Sequence, residues 1–127
     1  MTSPWDIRYV LTEDDFFWSA FTQGIAFNTT EASNTFGFSN GSYVYSTFDT
    51  GSSGVLFSTD YFDAVIARVF DMLGTSNYAI TEGVVFSECF PALDIPSIYF
   101  MFNELWVELK GVDYMIDVSA ENDHSLC

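Results

Sequence analysis

Apolar positions along the chain change period twice. Ile7 to Leu11 and Phe16 to Phe27 are runs rich in aromatic and β-branched residues, and they predict two opening strands, the second long. Gly24 interrupts the second run and predicts a bulge or a close backbone approach. Asn28 to Ser42 is rich in Asn, Ser, Thr and Gly, which predicts a long loop or hairpin holding a short strand at Phe36-Gly37-Phe38. Tyr43 to Phe48 predicts a strand, and Val55-Leu56-Phe57 a short buried one after a polar turn. The period then becomes helical. Tyr61, Phe62, Val65, Ile66, Val69, Phe70 and Leu73 recur at spacings of three and four, predicting one main helix over about Asp60–Leu73. Ser58 or Thr59 is its expected cap and Gly74 its stop, with Asp60 and Asp63 near its positive end.

Beyond the helix the short period returns. Tyr78-Ala79-Ile80 and Val84-Val85-Phe86 predict a strand pair around a Glu82-Gly83 turn. Cys89 to Pro96 reads as a loop. Ile98 to Phe102 and Leu105 to Leu109 read as strands about Asn103-Glu104, and Tyr114 to Val118 as a further strand. The expectation is a mainly β chain with one main helix. No linker, repeat or second core is visible, so residues 1–127 read as a single partial domain. Trp18 and Trp106 are expected on strand faces or in the core.

Charge narrows the function. Three Lys and Arg stand against 18 Asp and Glu, a net charge of −15, which excludes nucleic acid and anionic membrane surfaces as partners. The same balance suits an acidic compartment. As carboxylates neutralise, only Arg8, Arg68, Lys110, His124 and the amino terminus stay positive, and self-repulsion stays small. No apolar run reaches the ~20 residues of a membrane span. Met1-Thr2-Ser3-Pro4 opens no signal-peptide core, so if the protein is secreted its targeting segment is expected outside this chain.

Cys89 and Cys127 would pair in a secreted protein, worth roughly 3–4 kcal/mol by chain entropy, and would be free thiols in a cytosolic one. Their spacing is not that of metal ligands, and a single His is too few for a usual zinc site, so no metal and no cofactor is expected. Asp117, Ser119, Glu121 and Asp123 alternate as a calcium loop begins. Asn122 stands where such a loop needs Gly, so the segment reads as a solvated turn. Asn28-Thr29-Thr30 and Asn40-Gly41-Ser42 fit the N-glycosylation sequon.

The candidate chemistry lies in Phe48-Asp49-Thr50-Gly51-Ser52-Ser53, an acid in a tight turn between a strand and an apolar run. Gly51 leaves room for another backbone to pass close to the carboxylate, and Thr50 and Ser52 carry hydroxyls that can lock the turn and bond the acid. Proteolysis by carboxylates needs two aspartates sharing one proton. The ionised one takes a proton from water and the protonated one polarises the scissile carbonyl.

Taken in order, these segments resemble the carboxy-terminal lobe of pepsin-like aspartic proteases, the pepsin and cathepsin D family. Tyr9-Val10, Phe17-Trp18 and Gly24-Ile25-Ala26-Phe27-Asn28 resemble the strands that open that lobe. Phe48 to Ser53 resembles its Asp-Thr-Gly loop, with a helix following. Cys89 and then Ile95-Pro96-Ser97-Ile98-Tyr99-Phe100 resemble its Cys and Leu-Pro-x-Ile-x-Phe segment, and Leu109 with Tyr114 its next strand pair.

The resemblance implies an aspartic endopeptidase in which Asp49 is the second catalytic aspartate, Ser52 bonds it, Thr50 reaches toward the partner lobe, and Cys89 pairs with Cys127. It implies a polypeptide substrate and a secreted, lysosome-like or vacuole-like acidic location. This chain holds one Asp-Thr-Gly, so the other comes from an amino-terminal lobe or a partner chain, and the isolated chain is expected to be inactive. The lobe's hydrophobic-hydrophobic-Gly strand is expected past Cys127. Two alternatives stand beside this reading: a retroviral-type homodimer, and a non-catalytic lobe serving as a structural or binding subunit.

Overall fold

The computed structural model describes residues 9–12, 18–30, 35–37, 44–119 and 126–127, with 35–37 described by backbone alone. It is mainly β. Contacts divide the chain into two compact units, one of Met1–Ser53 with Ile98–Glu108 and one of Gly54–Ser97 with Leu109–Cys127.

In the first unit, β1 (Ser19–Thr22) pairs antiparallel with β4 (Val44–Thr47), setting Ser19 opposite Thr47 and Phe21 opposite Tyr45. The Phe21 and Tyr45 rings meet edge to face at 5.6 Å. Ser19 and Thr22 are buried. Their hydroxyls pair with those of Thr47, at 2.9 Å, and Ser46, at 2.5 Å, which meets the requirement that buried polar groups find partners. A second sheet runs β3 (Thr35–Gly37), β2 (Gly24–Phe27), β7 (Ile98–Phe102), β8 (Leu105–Leu109). Every residue of the central strand β2 is buried, and Ile25, Ala26 and Phe27 form the core with Ala20, Ile98 and Phe102. Burying a side chain the size of Phe27 contributes about 1.5–3 kcal/mol. β7 turns into β8 through Asn103 and Glu104, both at positive φ (45° and 66°), the conformation that a two-residue hairpin needs.

In the second unit, α1 (Thr59–Leu73) buries Val65, Val69 and Phe70 and half-buries the rest of its expected apolar face. Gly74 ends it at φ 75°. The Gly74 N–H donates to Asp71 and the Thr75 N–H to Phe70, a Schellman closure that satisfies two terminal carbonyls. Ser58 stands at the N-cap without a side-chain bond, and its carbonyl accepts from Tyr61 and Phe62. β5 (Tyr78–Thr81) and β6 (Val84–Ser87) form a hairpin closed by Glu82 and Gly83, both at positive φ. The Tyr78 ring stacks on Phe70 at 4.2 Å, tying hairpin to helix. Ser87 exchanges two backbone hydrogen bonds with Cys127, each 2.9 Å, and Cys127 is disulfide-bonded to Cys89.

Four expected strands differ. The long strand over Phe16 to Phe27 breaks at Gln23, and its halves join different sheets. Gln23 is held at the break by its N–H on the Met101 carbonyl, while its side-chain oxygen accepts the Glu104 N–H. Phe16 and Phe17 lie outside the described residues. Val55-Leu56-Phe57 forms no strand: it pairs with nothing in any described sheet, and Leu56 is 86% exposed. Tyr9 to Leu11 is irregular, with Tyr9 and Leu11 exposed, and Ile7 and Arg8 lie outside the described residues.

Instead of a strand from Tyr114, a single helical turn, α2 (Gly111–Tyr114), precedes irregular chain. Local bonds favour the turn. The Asp113 carboxylate accepts the Lys110 N–H at 3.0 Å, and the half-buried Tyr114 hydroxyl donates to the Pro96 carbonyl. Burial pushes the Tyr114 phenol's pKa up. Gly111 lies so close to Ile95 that a Cβ there would be 2.4 Å from the Ile95 Cβ. Phe38, Asn40, Tyr43 and 120–125 lie outside the described residues.

Candidate active site

The β1–β4 ladder delivers Asp49. One residue past the end of β4, the Phe48 N–H donates to the Trp18 carbonyl at 2.7 Å, extending the ladder up to the acid. The Phe48 ring packs at 5.2 Å against Phe102, which is 6% exposed on β7. The residue before the acid is thus held by backbone on one side and by a buried ring on the other.

From there the chain reverses. The Ser52 N–H donates to the Asp49 carbonyl at 3.3 Å, closing a four-residue turn with Thr50 and Gly51 at its centre. Both carboxylate oxygens are used inside it. Oδ1 accepts the Gly51 N–H at 2.8 Å, and Oδ2 accepts the Ser52 hydroxyl at 2.8 Å. Hydrogen bonds to the charged form favour it, so the Ser52 hydroxyl first and the Gly51 N–H second hold the carboxyl below its ordinary pKa. The sequence assigns the room at Gly51 to a passing backbone. Here the Asp49 carboxylate itself occupies that room: a Cβ on Gly51 would be 3.2 Å from Oδ1. Phe48 to Leu56 are all exposed, so the carboxylate is oriented but open to solvent.

Thr50 occupies the exposed crest of the turn. Asn28 is exposed at the end of β2 with φ 60°, and Asn40 lies outside the described residues. The Cys89–Cys127 bond is formed across a separation of 38 residues. A carboxylate oxygen of Asp117 comes within 4.8 Å of both sulfurs, but sulfurs joined to each other offer no thiolate to a metal. Asp117 instead accepts the Ser119 N–H at 2.9 Å. The Phe48–Phe102 contact is the supporting element that sequence reasoning does not reach. Both rings sit at predicted strand ends, but no local pattern links them.

No helix among the described residues is long and apolar enough to cross a membrane. Compared with protein-family models, curated proteins and solved structures, the chain finds no match in any of the three.

Proposed function

We propose that this chain is one lobe of a pepsin-like aspartic endopeptidase and supplies, through Asp49, one of the two carboxylates that activate water. The observation that carries the reading is the Asp49 turn. It is a solvent-facing carboxylate with each oxygen held by a donor two or three residues onward, anchored behind by Phe48 on Phe102. An acid so held keeps its orientation without burial, which suits a group that must meet a second carboxylate and a water across an interface. With the partner aspartate in place the two acids share one proton and titrate as a pair. One accepts a proton from water as the other polarises the peptide carbonyl. The partner is an amino-terminal lobe or second chain bearing the other Asp-Thr-Gly, and the substrate is a polypeptide. The disulfide and the net charge of −15 favour an acidic compartment of the secretory route.

The decisive experiment isolates the assembly containing this chain and measures peptide cleavage at acid pH with and without Asp49→Asn. The substitution is expected to lower kcat by about 10²–10⁴-fold, the range of general acid–base contributions, while the assembly still forms. The isolated chain is expected to be inactive. Cleavage unaffected by the substitution overturns the assignment. The exposure of Asp49 also fits a second reading, a non-catalytic lobe that uses this turn to dock; an assembly that forms normally and cleaves nothing would favour it.

A further inference from the structure

We propose that Asn28 is an N-glycan acceptor of this chain. Two observations support it. The first is the turn. β2 is buried along its whole length through Phe27, and the next three residues, Asn28, Thr29 and Thr30, are all exposed. The chain turns out of the core at Asn28 itself. Its backbone takes φ 60°, and the Thr29 N–H donates back to the Phe27 carbonyl at 2.7 Å. Asn is among the few residues that enter this region readily, so the sequon begins where the fold itself calls for Asn.

The second is the compartment. The Cys89–Cys127 bond belongs to an oxidising environment, the same one in which sequons meet their transferase. The Thr30 hydroxyl stands at the required second position after Asn28, and Thr29 between them is not proline. In the transfer, a bond forms between Asn28 Nδ2 and the anomeric carbon of a polyprenyl-diphosphate-linked oligosaccharide. The sugar–phosphate bond breaks, polyprenyl diphosphate leaves, and one amide proton passes to a base of the transferase.

The position also leaves the Asp49 turn clear. Phe27 pairs with Ile98, at the start of β7, whereas Phe48 packs on Phe102 at its end. The four steps from Ile98 to Phe102 correspond to about 13 Å of strand. A glycan on Asn28 therefore leaves from the far end of β7 relative to the Asp49 support.

The test translates the full chain behind a cleavable secretory leader with endoplasmic-reticulum microsomes. Products are treated with a glycan-releasing amidase and the modified site is mapped by mass spectrometry. One glycan on Asn28 is expected, lost completely in Thr30→Ala and in Asn28→Gln and retained in Thr29→Ala and Thr30→Ser. Thr30→Ala removes the acceptor signal while leaving Asn28 in its turn, so its result does not depend on backbone strain. Translocated chain that is unmodified at Asn28, or modified at Asn40 alone, overturns the proposal. Neither outcome bears on Asp49, because no cleavage is measured.

Discussion

At the scale of single residues, the orientation of Asp49 is a local property. Its two donors lie two and three positions ahead, so Asp-Thr-Gly-Ser already contains the bonds that hold the carboxylate. Removing the stronger influence gives a signed prediction. In Ser52→Ala the Asp49 pKa, followed by carboxyl-carbon NMR, is expected to rise toward its ordinary value. Because the folded value is lowered, Asp49 contributes stability above its unfolded pKa and loses it as pH falls through the folded one. The variant is therefore expected to lose less stability than the parent on acidification through that window. An unchanged Asp49 titration would show that the hydroxyl does not hold the acid. The same locality explains what was legible. Ser52 and Gly51 can be read from a motif, whereas Phe102 cannot, because its contact with Phe48 spans 54 residues of sequence and leaves no local pattern.

At the scale of elements, the helix is the part most fully legible. Seven apolar positions at helical spacing and a terminal glycine predict Thr59–Leu73 to within a residue, and the Gly74 closure supplies the physical stop. Hairpins were also legible, since the turn residues Glu82-Gly83 and Asn103-Glu104 each separate two short strand-forming runs. The division of Phe16 to Phe27 between two sheets was not. Only Thr22, Gln23 and Gly24 stand between Phe21 and Ile25, and nothing in that short interruption shows that β1 and β2 take different partners. The turn at α2 was missed because its determinants are a carboxylate on a backbone N–H and a close approach to Ile95.

One element carries a testable strain. Glu104 sits at φ 66°, where a side chain costs about 1–2 kcal/mol and glycine costs little beyond its unfolded-state entropy. Its N–H bond to Gln23 is made by backbone and survives substitution. Glu104→Gly is expected to stabilise by about 0.5–1 kcal/mol in denaturant titration, and a loss of stability would place the value of Glu104 in its side chain.

At the scale of the whole molecule, the chain passes between the two units three times, and the disulfide lies within the second of them. The disulfide closes from Cys89 to Cys127, and β7 and most of β8, which complete the sheet of the other unit, lie inside that loop. Replacing both cysteines with serine is expected to cost about 3–4 kcal/mol on the chain-entropy estimate, measured in urea titration as a lower midpoint with a steeper slope, because the denatured chain without its crosslink exposes more surface. A chain indifferent to that change would show that non-covalent bonds, the Ser87–Cys127 backbone pair among them, suffice to hold the segment. The threading has a further consequence, in time rather than space. Gly24 pairs with Met101, so Gly24 leaves the ribosome 77 residues before its partner. At about 5–20 residues per second the delay is roughly 4–15 s. For that interval an entirely apolar strand has β3 on one edge and nothing on the other, which makes synthesis the period when this chain most needs protection from its own copies.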